Sequence, residues 1–231
     1  MDFRKLRADE IEIRVREIVK GGAKVLLYKD ARCDMAILDE TVGAERWQRD
    51  HKDVKGVLFG GVGIFFEAIG WVWKWDAGKE SNTEAQKGES SDSFKRACFN
   101  WGIGRSLYTA PKQLTLMFET VEDGKDKWGK PIYKLKNPWA MIGVHMKEIT
   151  YSGDKIASIK IADRDGKVIW EMEPLETDPI SDNRVDWIKE QCQNDEGKLD
   201  AIKASLGVKS LEVITNKQFK EVIALIKKGT K

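Results

Sequence analysis

Cysteine and histidine are scarce in this chain: three and two among 231 residues. Cys33, Cys98 and Cys192 are odd in number, far apart and without CxxC spacing, so neither a disulfide framework nor a zinc site is indicated. His51 and His145 have no neighbouring ligand pattern and read as structural or exposed groups rather than catalytic ones. The glycine clusters GGVG and GIGRS do not fit GxxxxGK[ST], which excludes a Walker-type phosphate loop and with it ATP-driven chemistry of that kind. HExxH, GxSxG and Cys–His nucleophile patterns are missing as well. Long apolar runs are also lacking. The most apolar stretch, from Val57 to Trp73, is interrupted by Glu67 and several glycines and reads as paired strands rather than a membrane span. The N-terminal MDFRKLRADEIEIR has no apolar core of the signal-peptide kind. A reducing, cytoplasmic setting follows as the expectation. Nor is there an excess of one charge. Lys and Arg number 40 against 38 Asp and Glu, a formal net charge of +2. A surface for polyanions must therefore be made by segregating charge, because attraction to phosphate needs a local positive field.

What is present is organised around Ser90 to Tyr108, SSDSFKRACFNWGIGRSLY. Phe94, Ala97, Cys98 and Trp101 recur at helical spacing and predict one core-facing stripe. Ser91, Asp92 or Ser93 is expected to cap the start, because a short side-chain oxygen accepts from free first-turn amides. Gly102 and Gly104 are expected to end the helix. Lys95 and Arg96 flank the stripe, and Arg105 follows the helix end. Such a pair on a rigid rod suits an anion held by its backbone. A solvated Lys-Arg doublet is the plain alternative.

Before this helix, Leu6 to Lys20 reads as a helix with Ile11, Val15, Ile18 and Val19 on one face, stopped by Gly21 and Gly22. Lys24 to Tyr28 reads as a strand, and Ala31 to Val42 as a helix stopped by Gly43. Trp47 to Val54 is a polar strand in which Arg46, Arg49 and Lys52 lie in or near the same stretch as Trp47. Basic and aromatic residues so interleaved hold phosphate and stack bases, or else merely keep an edge strand soluble. Val57 to Phe66 and Trp71 to Asp76 form a hairpin. Trp71, Trp73 and Trp75 alternate onto one face, read as core under a packed helix for at least two of them, with a stacking platform as the other reading. Lys79 to Glu89 is a polar connection whose Lys79 and Lys87 are candidates to reach a ligand, with solvated loop lysines as the plain alternative.

After Tyr108, Leu114 to Val121 and Pro131 to Leu135 flank a polar turn. Met141 to Tyr151, Lys155 to Ala162 and Lys167 to Trp170 form a meander. Asp163 and Asp165 start a DxDG run without the closing glutamate of a calcium loop, so they read as a turn. Glu171 to Asp182 reads as an acidic linker. A helical module follows, with Thr215 and Gln218 as a capping box ahead of its last helix.

The ordered set YKDARCDMAILDETVGAERW, the strands from Trp47 to Asp76, DAGKES and SFKRACFNWGIGRSLY resembles the Rad52-like single-strand annealing proteins, closest to their phage recombination branch. The resemblance covers roughly residues 6 to 110. It implies an α+β fold with a β-β-β-α core, here extended by a β-meander and a small C-terminal helical module. The implied domains are an annealing domain over 1–172 (core 6–110, meander 111–172), a linker over 173–182 and the module over 183–231. It implies a homo-oligomeric ring or spiral that holds single-stranded DNA by its backbone, with no catalysis, no cofactor and no metal. Lys95 and Arg96 match the family's DNA-contacting pair. Phe99 stands where the family has a further basic residue, with Arg105 as a substitute. Cys33 aligns with a family arginine, with Arg32 beside it. Arg46, Arg49 and Lys79 complete the DNA-binding candidates. In phage relatives the C-terminal module serves partners, which makes a phage exonuclease or a single-strand-binding protein the expected partner of 183–231. Two alternatives stand beside annealing: a module that only binds and protects single strands, and a metal-dependent nuclease.

Overall fold

The computed structural model describes residues 1–78, 85–112, 114–172 and 176–229. The fold is mixed α+β, with small antiparallel sheets and five α-helices among the described residues. It divides into two compact units.

The first unit comprises Met1–Glu12 and Leu27–Tyr108. Helix α1 (Ala31–Val42) starts on Asp30, whose side chain accepts from the Arg32 amide, and stops at Gly43. Arg4 joins the N-terminal segment to this helix by pairing with Glu10 at 2.7 Å and Glu40 at 2.5 Å. Strands β3 (Trp47–Val54), β4 (Val57–Phe66) and β5 (Gly70–Ala77) then form a three-stranded meander. Its register pairs Trp47 with Ile64 and Gly63 with Trp73. Strand side chains alternate between faces, so the register sorts them completely. Trp47, Arg49, His51, Gly60, Val62, Ile64, Val72, Lys74 and Asp76 share one face. Gln48, Asp50, Lys52, Phe59, Gly61, Gly63, Phe65, Trp71, Trp73 and Trp75 share the other.

Helix α2 (Ala85–Trp101) lies on the first of these faces. Phe94, Ala97 and Cys98 are fully buried there, beside Val62 and Ile64. Gly60 is required by this packing, since an added Cβ would stand 2.6 Å from Ser93 Oγ and 2.8 Å from the Phe94 amide nitrogen. Trp101 donates its indole N–H to the Val62 carbonyl at 2.9 Å, so even its polar edge is satisfied. The helix begins a turn or more before Ser91, so Ser91, Asp92 and Ser93 sit inside it rather than capping it. The buried Ser93 instead bonds back to the Ser90 carbonyl at 3.0 Å. The tryptophan stripe departs from expectation too: α2 covers the face opposite to the one that Trp71, Trp73 and Trp75 share.

The second unit comprises Ile13–Leu26 and Thr109–Lys231. The expected first helix is instead strand β1 (Ile11–Val19), paired with β2 (Gly22–Lys29) in a sheet of order β1-β2-β6, with β6 at Leu114–Met117. In IEIRVREIV, Ile11, Ile13, Val15 and Val19 also fit a period of two, and β-branched side chains favour a pleated strand. Gly21, at φ 81°, makes the reversal to β2. Strands β7 (Thr120–Lys125) and β8 (Pro131–Leu135) form a separate hairpin. The meander is β9 (His145–Ser152), β10 (Lys155–Ala162) and β11 (Val168–Met172), with β10 central. Asp163 closes the turn before β11 by accepting from the amides of Asp165 and Lys167, both at 3.0 Å.

Helices α3 (Asp182–Gln191), α4 (Glu196–Leu206) and α5 (Asn216–Gly229) complete the unit. Val185, Ile188, Ile202, Leu211, Ile214 and Val222 form their shared core, and Ile180 belongs to it as well. Pro179 bridges to Thr215, and the Ile180 amide donates to the Ile214 carbonyl at 2.8 Å. The capping box forms as expected: Gln218 Oε1 accepts from the Thr215 amide at 3.0 Å, and Thr215 Oγ1 from the Gln218 amide at 3.3 Å. No helix among the described residues is long and apolar enough to cross a membrane.

Candidate nucleic-acid interface

The candidate site is built on α2, because packing against β4 and β5 fixes that helix and thereby the bearing of its cations. Lys95 and Arg96 are both half-buried and lean to different sides. Arg96 turns toward β5, with Nε 3.3 Å from Asp76 Oδ1. Asn100 holds the other oxygen of Asp76 at 3.3 Å and the Trp75 carbonyl at 3.1 Å, so the carboxylate is fixed from two directions. Lys95 faces α1. Its charge helps to hold the carboxyl of Asp30 below the usual range, an effect led by the Arg32 amide bond to Asp30.

Beneath Lys95 lies a buried pair. Lys29, from the end of β2, bonds to Asp34 on α1, and Asp34 is completely enclosed. Burial pushes the Asp34 carboxyl up to about 6, although Lys29 and Lys95 both pull it down. Its Oδ2 has no hydrogen-bond partner among the described residues. Gly104 makes room for this pair: an added Cβ would sit 2.4 Å from Lys29 Cε, and its φ is +73°. The second glycine of GIG is thus explained by the passage of the Lys29 stem as well as by the backbone turn.

Arg105 caps α2. Its Nε donates to the Phe99 carbonyl at 2.8 Å and its Nη2 to the Asn100 carbonyl at 2.8 Å. Lys74 reaches the same end of the helix, donating to the Asn100 carbonyl at 2.9 Å and lying 4.2 Å over the Trp101 ring. Cations here complement the negative end of the helix dipole. Lys74 was not among the sequence candidates. The alternation WKW carried the signal, since tryptophans on one face place the intervening lysine on the helix side.

The remaining candidates fall in different places. Arg32 is exposed and paired with Asp30 at 3.0 Å, which puts it in the Lys95 neighbourhood. Cys33, beside it, is buried, and burial pushes its thiol up to about 12 and that of Cys98 upward also. Arg46 pairs with Glu67 at 2.8 Å. Arg49 points under α2. It donates to the Ser90 carbonyl and Oγ at 3.0 and 2.8 Å and stacks 4.6 Å over the Phe94 ring. Its Nε is buried and has no hydrogen-bond partner among the described residues, and desolvation lowers its pKa. Arg49 therefore fastens β3 to α2. Lys79 lies outside the described residues, as does the side chain of Lys87.

The structure thus gathers Lys95 with Arg32 at one flank of α2, and Arg96, Lys74 and Arg105 at the other flank and the C-terminal end. Each group carries one surface carboxylate, Asp30 or Asp76, as a local counter-charge. Five cations on a rigid helix-sheet frame can bind successive phosphates without reading base edges. Among the described residues, no group of three or more His, Cys, Asp or Glu gathers as a metal site.

Residues 53–125 match a known family, described as the Rad52/22 family double-strand break repair protein. The matched segment runs from the end of β3 through β4, β5, α2 and β6 to the end of β7. No curated protein matches the chain.

Proposed function

We propose that this Rad52-like protein binds single-stranded DNA along α2 and anneals complementary strands without ATP. The observation that carries the reading is the position of the family match. It spans the helix bearing Lys95 and Arg96, Arg105 just beyond its end, and both strands on which that helix is seated. The family match and the cation arrangement both involve α2.

The mechanism needs no covalent step. In the unbound protein, Asp76 and Asp30 hold Arg96 and Arg32 in place. An arriving phosphate competes for these guanidinium groups and adds Lys95, Lys74 and Arg105. Release of counterions from the strand then drives binding. Contacts to phosphate leave base edges free, so a second strand can sample registers and pair. Stacking of about 1.4 kcal/mol per step favours the correct register. Copies of the chain arranged as a ring or spiral extend the track. The helical module of α3 to α5 is then the place for a phage exonuclease or single-strand-binding partner.

Annealing is tested by fluorescence-monitored pairing of two complementary oligonucleotides in the absence of ATP. Faster pairing with protein supports the reading. Slower pairing identifies a protecting single-strand binder, and shortened labelled DNA in magnesium identifies a nuclease.

A further inference from the structure

The face of the β3-β4-β5 sheet opposite α2 carries an unusual surface. Three indoles run down β5 as a continuous series: Trp71 to Trp73 at 6.4 Å, and Trp73 to Trp75 stacked at 5.4 Å with 23° between planes. Phe65 adds an edge contact to Trp71 at 5.5 Å. Two glycines of β4 let the rings lie down. A Cβ on Gly61 would stand 2.7 Å from Trp75 ring atoms, and one on Gly63 would stand 2.5 Å from Trp73. With no side chain beneath them, the indoles rest on the β4 backbone and turn their other surfaces outward. Trp71 remains 38% exposed, and Val54 and Val57 extend the apolar surface at 48% and 41%. A contiguous apolar surface of this kind marks a binding face.

The polar groups on this face indicate what covers it. They are Gln48, Asp50 and Lys52, all exposed on β3. Asp50 turns one oxygen back onto the His51 amide at 2.8 Å. Lys52 lies directly on the paving, its Nζ 4.1 Å from the Trp75 ring centroid. An apolar protein surface laid on these rings would strip water from that ammonium without pairing it, which is costly. A polynucleotide brings a base to each ring and a phosphate to the ammonium together.

We infer that Trp71, Trp73 and Trp75 form a base-stacking platform for unpaired nucleotides, with Lys52 as its phosphate contact. The inference rests on the single-strand reading above but uses the opposite face of the sheet from the α2 cations. Aromatic side chains on a sheet surface stack successive bases with little sequence preference.

The test compares binding of the whole protein to oligo(dT) and to an abasic oligomer of equal length. The parent is expected to prefer oligo(dT) by roughly ten-fold or more. Trp75→Leu together with Trp73→Leu is expected to remove that preference while leaving abasic binding unchanged. Equal parent affinities for the two oligomers overturn the inference without requiring any variant to fold. So does a preference that survives in a folded double variant. Unchanged DNA binding with a smaller assembly in sedimentation would make this face a contact between copies, and would overturn it as well. Failure to bind either oligomer instead removes the single-strand reading itself.

Discussion

Arg96 Nε lies 3.3 Å from Asp76 Oδ1, so the candidate phosphate-binding guanidinium already has a carboxylate beside it. The arrangement sets the bearing of Arg96 and partly neutralises it. Asp76→Asn removes the competing charge and leaves a single side-chain oxygen, which can keep accepting from Arg96 and the Ala77 amide while the acceptor for Asn100 is lost. Tighter single-strand binding is expected, by several-fold at low salt. Fluorescence anisotropy over a salt series measures this; weaker binding in a folded variant would show that Asp76 serves only to orient Arg96. The stability change should stay within ~1 kcal/mol, because the pair is part-exposed and screened.

The Lys29–Asp34 pair predicts an opposite pH dependence from most surface carboxylates. The native Asp34 carboxyl is raised to about 6, above its ordinary value of 3.8. Between those two values the folded state holds a proton that the unfolded state has released. Asp34 therefore lowers stability as pH rises through that window, by on the order of 1–3 kcal/mol. Urea melts of the parent and Asp34→Asn at the two ends of the window should show the difference between them shifting in favour of the variant as pH rises. A constant difference would mean that Asp34 titrates normally.

Gly60→Ala drives a Cβ into Ser93 and the Phe94 backbone, 2.6 to 2.8 Å away. Backbone cannot yield as a flexible side chain does, so α2 must lift from the sheet. A loss of about 1–3 kcal/mol is expected, the usual size for overpacking, together with weakened single-strand binding. Thermal melts and anisotropy check both; a neutral substitution would mean that α2 is not seated where described.

Arg49 was a sequence candidate for DNA contact, yet its bonds to Ser90 and its stacking on Phe94 make it a fastening between β3 and α2. Arg49→Ala should cost about 1–3 kcal/mol in chemical denaturation. Affinity of the folded fraction for single strands should hardly move. A large affinity loss without destabilisation would return Arg49 to the binding surface.

The sequence showed most clearly those elements whose partners are close in the chain. The α2 stripe, the helix α1 between Asp30 and Gly43, the WVWKW alternation and the Thr215–Gln218 box were readable because spacing alone defines them. Spacing does not define strand β1, because Ile11, Val15, Ile18 and Val19 fit a helix while the same stretch also alternates. Only pairing with β2 decides between the two. The tryptophan stripe was placed on one face correctly, but the face covered by α2 depends on Gly60, whose meaning appears only when Ser93 is above it. Lys74, the pairing of Arg96 with Asp76 and the buried Lys29–Asp34 bond likewise join residues distant in sequence. Spacing supplied the cations; packing supplied their partners.

The proposed grip of the α2 cations on an unpaired strand is what permits pairing. Its most direct test is ATP-free annealing by the folded Lys95→Ala/Arg96→Ala double variant, alongside its single-strand affinity across salt. The expected result is a large loss of annealing and a shallower dependence of log affinity on log salt, by about 0.7 per lost phosphate contact. Parent-like annealing with an unchanged salt slope would contradict it.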